Sequence, residues 1–303
     1  MAAISEPVEL IGIRSGAISA EIVPEIGGGL ASFRFDMDGQ SVDLMRPLSA
    51  DLASRRNPVD TAMFPMMPYA NRIADNRFVF EGREYLFTAN NPPERFNVHG
   101  TAWHRAWTVE SQGADQVRLT LSVEDPALYS YDAAEDFVLD QTGLAVTTSV
   151  TNRGAVAMPF GFGQHPWFPR DPDTRLTFAA SHFWLDGPDG VASDRITVPP
   201  ELDFSAGARL PEGWRNNCYS GWSGDAEIRF PKRGCGLRMR ADPVFGHLMF
   251  YADPRRSFFC LEPQSNSSGA FDRLAGDRTG LGIIVLQPGE TASGTIRFEP
   301  FRL

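Results

Sequence analysis

Two stretches of strict period-two alternation constrain this chain more than any other feature. Val117, Leu119, Leu121 and Val123 alternate with polar residues, and so do Leu144, Val146, Thr148 and Val150. Successive side chains of a strand point to opposite faces, so each stretch predicts a strand with one buried face and one wet face. Such strands belong to antiparallel sheets, because parallel sheets are covered on both sides. No window shows sustained helical periodicity with caps. The 22 Phe, 28 Gly and 23 Pro among 303 residues fit many short strands separated by tight turns. With 42% hydrophobic residues the chain can bury a large core, and the expectation is an all-β domain spanning residues 1–303.

The punctuation places further strands. Residues 8–13 and 16–23 flank a turn at Arg14-Ser15-Gly16, and Asp38-Gly39 is a hairpin signal. Gly27-Gly28-Gly29 lacks the Lys-Ser/Thr and helix of a phosphate loop and reads as a turn. Residues 49–58 read as a polar loop, 248–251 as a buried strand and 280–286 as an apolar strand. The run Phe258-Phe259-Cys260-Leu261 ends in Glu262-Pro263, which places Glu262 where a strand leaves the core.

A net charge of −10 argues against nucleic acid, which calls for a basic face. No apolar run approaches membrane-spanning length, and Met1 to Pro7 lacks the basic start and apolar core of a signal peptide. A cytoplasmic protein that meets neither nucleic acid nor membrane is the expectation. Cys218, Cys235 and Cys260 form no CxxC or Cys/His zinc spacing, which fits reduced structural thiols and no metal cage.

Two groups carry acid/base potential. An acid against apolar neighbours has its charged form disfavoured and moves towards the range of a general base, although a rim acid bonded to a loop amide gives the same sequence. Glu262 is such an acid. His165, in Gly163-Gln164-His165-Pro166-Trp167-Phe168, is packed by aromatics and is either a proton carrier or a satisfied core histidine. The proline-broken segment Phe64 to Ile73 presents Asn71 and Arg72, suited to hydroxyl recognition or, for Arg72, to an ordinary ion pair. His99, Trp103 and His104 lie in a Gly-containing polar and aromatic loop, and Asn216 opens another polar-aromatic cluster ending at Trp222.

The ordered set Pro68-Tyr69-Ala70-Asn71-Arg72-Ile73, Asn97-Val98-His99-Gly100, Gly163 to Phe168, Leu261-Glu262-Pro263-Gln264 and Leu286-Gln287-Pro288-Gly289-Glu290 resembles the aldose 1-epimerase (galactose mutarotase) family. The resemblance spans most of the chain. It implies a large antiparallel β-sandwich with a sugar cleft over one sheet, a small-molecule sugar as partner, no cofactor, and a monomer or homodimer. It also implies that Glu262 is the general base at the C1 hydroxyl and His165 the general acid at the ring oxygen. Arg72 and His99 match positions that hold the ring oxygen and hydroxyls, and Asn71, His104 and Gln264 are further expected contacts. Asn216 stands where many members carry Asp. An epimerase of hexose 6-phosphates would want more cations, with Arg95 and Arg105 as candidates. A non-catalytic sugar binder is disfavoured by the presence of both His165 and Glu262.

Overall fold

Short strands build two stacked antiparallel sheets. The computed structural model describes residues 8–187 and 190–303. Its larger sheet has eleven strands, running from the edge strand Ile11–Ser15 through Ile18–Val23, Gly29–Met37, Met63–Met66, Gly163–Pro169, Phe258–Gln264, His247–Ala252, Arg215–Ser220 and His182–Asp186 to Ala192–Thr197. Gln40–Asp43 pairs with Gly29–Met37 through the Asp38-Gly39 hairpin, whose two residues both take the positive φ such a turn requires. The second sheet has nine strands and contains both alternating stretches, as Gln116–Val123 and Leu144–Asn152.

The main core lies between the sheets. It gathers Ile13, Phe33 and Phe168 from the larger sheet with Leu119, Phe137, Val146 and Phe298 from the smaller, and the rings of Phe33 and Phe298 meet edge-on at 6.4 Å. The period of two then decides what the larger sheet shows on its other side. Along Gly163–Pro169 the side chains of Gln164 and Phe168 go to the core, leaving His165 and Trp167 on the outer face. Along Phe258–Gln264, Phe259 and Leu261 go in, while Cys260 and Glu262 go out. A second apolar cluster of Phe64, Met66, Ala70, Val98, Trp103, Trp167 and Cys260 covers that outer face and floors a cleft.

Three expectations about elements need correction. Glu262 sits inside a strand rather than at its exit, because pairing of Gly163 with Gln264 carries the strand past Pro263. The strand expected at 280–286 is confined to Ile284–Leu286, since Gly280 and Gly282 take positive φ and belong to a loop. Residues 49–58 include a short helix, Ala50–Ala53, capped by the Ser49 side chain. Cys218, Cys235 and Cys260 are unpaired and buried. Residues 1–7, read above for a leader, lie outside the described residues, among which no helix is long and apolar enough to cross a membrane.

Candidate functional site

Two prolines shape the centre of the larger sheet. Gly163 pairs with Gln264 and Trp167 with Cys260, so the same register sets His165 opposite Glu262, yet no ladder pair forms for residues 164–166. The cause is chemical. Trp167 turns its N–H towards Ala62, on the side away from Phe258–Gln264. Residues 164 and 166 therefore face Phe258–Gln264, and the two donors that would flank the His165/Glu262 pair belong to Pro166 and Pro263, which have no N–H. Gly163 admits the close approach of the strands, because a Cβ there would lie 2.5 Å from the Pro263 carbonyl oxygen.

The His165 Nε2 atom lies 3.3 Å from Glu262 Oε1, with side-chain exposures of 10% and 4%. Aromatic faces hold the imidazole on both sides, Phe64 at 4.5 Å and Trp167 at 4.6 Å. Behind Trp167 stands Arg46, whose guanidinium lies over the rings of Trp167 and Phe258 at 4.5 and 4.7 Å and donates to the carbonyls of Val59 and Thr61. Burial pushes the Glu262 carboxyl up to about 8, against the pull of Arg72. Burial also pushes the His165 imidazole down to about 3, and Arg46 adds to that effect. The pair thus holds one proton across the neutral range, resting on the carboxyl. Moving it to the imidazole creates a carboxylate and an imidazolium with the same proton count, so the two forms titrate as one unit.

A cleft of about 220 Å³ opens above the pair. One wall is Asn71, Arg72, Val98 and His99; the other is Trp214, Asn216, Met249 and Tyr251. Asn71 and His99 both take positive φ, at 68° and 59°. They lock each other there: the Asn71 N–H donates to His99 Nδ1 at 3.1 Å, and the His99 N–H donates to the Asn71 carbonyl at 3.0 Å. Non-glycine residues in that region are uncommon and concentrate at functional sites. Burial holds His99 well below the ordinary histidine value, with His165 and Arg72 acting in the same direction. As a neutral ring accepting at Nδ1, His99 carries its proton on Nε2. Asn266 anchors the segment from the other side, bonding both the N–H and the carbonyl of Ala70 at 3.1 and 3.0 Å.

The structure brings Glu262, His165, Arg72, His99, Asn71 and Asn216 to one cleft and leaves two expected contacts out. Gln264 shares the face of Glu262 but is fully buried under the following loop, its amide donating to the Asn266 carbonyl at 2.8 Å and facing Cys218. His104 is exposed and packs on Trp103, with ring centres 3.7 Å apart, off the cleft wall. Arg72 lines the cleft and is also paired: its Nε and Nη2 both donate to Glu94 Oε2, at 2.9 and 2.7 Å. Trp214, Met249 and Tyr251 were not picked out from sequence, because only strand pairing shows that they share a face with Glu262. Trp214 alone carried a signal, an aromatic two residues before Asn216. A larger hollow of about 640 Å³ elsewhere is lined by Arg153, Asp132 and Asp125 among others; Arg153 pairs with Asp132 at 3.3 Å, and no histidine or cysteine lines it.

A two-sheet antiparallel sandwich with a buried carboxylate–imidazole pair under a polar and aromatic cleft defines the class, the galactose mutarotase-like proteins. A crystal structure of a candidate aldose 1-epimerase from Escherichia coli K12 superposes with a TM-score of 0.88 at 31% identity, covering 98% of this chain and all (100%) of that one. A galactose mutarotase-like protein from Clostridium acetobutylicum superposes at 0.86 over 98% of this chain and 96% of that one, at 19% identity, a likeness of fold. The chain belongs to the aldose 1-epimerase family, whose sequence model matches residues 9–299. Among its relatives, the uncharacterized Escherichia coli (strain K12) protein YphB is 37% identical over 250 residues, 79% of this chain and 84% of YphB. The uncharacterized YihR of the same strain is 28% identical over 93% of this chain and 90% of its own length.

Proposed function

We propose that this protein is an aldose 1-epimerase that interconverts the α and β anomers of a free sugar. The observation that carries the reading is the 3.3 Å approach of His165 Nε2 to Glu262 Oε1 on the floor of a cleft open to solvent. Glu262 as carboxylate takes the C1 hydroxyl proton while His165 as imidazolium protonates the ring oxygen. The bond from C1 to the ring oxygen breaks and C1 becomes an aldehyde. Rotation about C1–C2 presents the other carbonyl face, and the reverse transfers close the ring as the other anomer. Each pass begins and ends with one proton on the pair, so no other reagent is consumed. Positioned proton transfer of this kind contributes about 10²–10⁴-fold.

Arg72, His99, Asn71 and Asn216 hold the sugar hydroxyls in this reading, and Trp214 and Tyr251 face its apolar surfaces. The cleft favours a neutral sugar over a phosphorylated one. Its lining has one guanidinium, that of Arg72, which Glu94 neutralises. Arg95 lies over the Phe96 ring and Arg105 is exposed next to His104, both off the cleft wall.

Polarimetry or NMR exchange on fresh α-anomers of a sugar panel tests the reading. Activity requires the one-proton pair, so kcat/KM should fall once the pair gains a second proton, well below the ordinary histidine value. It should fall again as the last proton leaves, around pH 8. Glu262→Gln keeps shape and hydrogen bonding but cannot accept the proton, and kcat should drop roughly 10²-fold or more with sugar binding retained. Near wild-type rates in Glu262→Gln on the best sugar would sink the assignment.

A further inference from the structure

The register that sets His165 opposite Glu262 delivers a third ligand atom to the same place. Cys260 lies two residues before Glu262 on the same strand, opposite Trp167 and so diagonal to His165. Ligand atoms of His165, Cys260 and Glu262 all lie within 4.8 Å of one another, and all three side chains are buried. We propose that these three side chains form a site for a thiophilic divalent cation, zinc foremost, and that zinc seated there reversibly blocks the sugar reaction. The blocking half rests on the epimerase reading; the binding half stands on this geometry alone.

The donor set selects the cation. One sulfur, one nitrogen and one carboxylate oxygen, with a fourth position open to the cleft, match the three-ligand zinc arrangement. Magnesium and calcium ask for six or more oxygens and find one side-chain carboxylate here. The charges close as well: a dication with one thiolate and one carboxylate sums to zero, the condition a buried site tolerates. The imidazole enters as the neutral ring that metal ligation requires. His165 Nε2 already lies 3.3 Å from Glu262 Oε1, so it is the ring nitrogen placed to meet the metal. Zinc bonds of about 2.0–2.3 Å require the three atoms to draw together by about an ångström, which side-chain rotation supplies.

The protons balance explicitly. Zinc takes cysteine as the thiolate, so binding frees the Cys260 thiol proton, and any proton held on Glu262 leaves as that carboxylate binds the ion. At least one proton therefore passes to the buffer for each ion bound, and affinity should rise with pH. No pattern in the linear sequence points to this cluster, since it is made by strand pairing.

The test uses the full chain, freed of metal by a chelator, and zinc chloride alone. Calorimetry in two buffers of different ionisation enthalpy should report one zinc per chain and proton release on binding. Cys260→Ser, which keeps the size of the side chain, and His165→Asn should each weaken binding by roughly 100-fold. Cobalt(II) should give a thiolate charge-transfer band that Cys260→Ser lacks. Should Cys260→Ser melt early, the proton count and the cobalt band of the unaltered protein still decide. Equal zinc affinity in the unaltered protein and both variants, or no proton release, overturns the site. Initial rates of mutarotation should fall with added zinc, competitively with sugar, and recover on chelation; rates indifferent to zinc at saturation overturn the blocking. Zinc binding as described in a protein inactive on every sugar upholds the site and removes the epimerase reading instead.

Discussion

Arg72 shows how one side chain serves two partners. Its fork is held by Glu94, yet both side chains keep about a fifth of their surface open, at 22% and 21%, so the pair contributes under about 1 kcal/mol to folding. Arg72→Ala should therefore leave the melting temperature nearly unchanged while raising KM or lowering kcat. Glu94→Gln, which loosens the fork without removing it, should raise KM several-fold with kcat held. A melting temperature that collapses along with activity in Arg72→Ala would make the arginine a structural residue. In the sequence, Glu262 stood out as an acid ending an apolar run before a proline, and His165 as an imidazole packed among aromatics, each a candidate acid/base group. It could not show that Gln264, on the same face as Glu262, is roofed by residues 265–267, nor that His104 turns onto Trp103. Nearness along the chain stood in for nearness in space, and at these two positions the loops decide.

At the scale of the strand, the prolines after both members of the pair are the informative feature. Taken singly, Pro263 reads as a strand terminator, and that reading misplaced Glu262. Across the sheet, Pro166 and Pro263 are the two missing donors of one open ladder step. In antiparallel pairing the step without mutual backbone bonds brings Cα atoms to about 4.5 Å and the side chains closer together. His165 and Glu262 occupy such a step. Pro263→Ala returns an N–H aimed at the Gln164 carbonyl. The regained hydrogen bond, about 0.5–1.5 kcal/mol, roughly offsets the looser unfolded chain, about 0.4–1 kcal/mol. Stability should hold within about 1 kcal/mol while kcat falls roughly tenfold, because reacting groups tolerate little displacement. Unchanged kcat in a well-folded Pro263→Ala would show that the open step does not tune the pair. Strand existence was legible from alternation; which strands become neighbours was not, since the larger sheet joins residues 63–66, 163–169 and 258–264 across long separations.

Taken whole, the sandwich also keeps a titrating group between its sheets, away from the cleft. Glu135, fully buried on the smaller sheet, accepts from Gln164 Nε2 at 2.8 Å, and Gln164 precedes His165 on the facing sheet. Burial pushes Glu135 up to about 8 from 4.5, against hydrogen bonds from Thr148 and Gln164. A folded-state value above the unfolded one means that the stabilisation is complete below about pH 4.5 and is lost as pH rises through about 8. A difference of that size corresponds to roughly 3–5 kcal/mol. Glu262 slopes the same way, so the informative comparison is with Glu135→Gln, which keeps the size and removes the charge. Melts from pH 5 to 9 should show the variant gaining on the unaltered protein as pH rises; parallel curves would mean that Glu135 is not the group responsible. The cleft wall has an effect of another kind. Five of the six tryptophans are buried, and Trp214, 49% exposed, stands on the cleft rim. Indole emits at longer wavelength in water than in a core, so the red edge of this protein's fluorescence originates at the mouth of the cleft, and occupancy there is written in the colour of the emitted light without any added label.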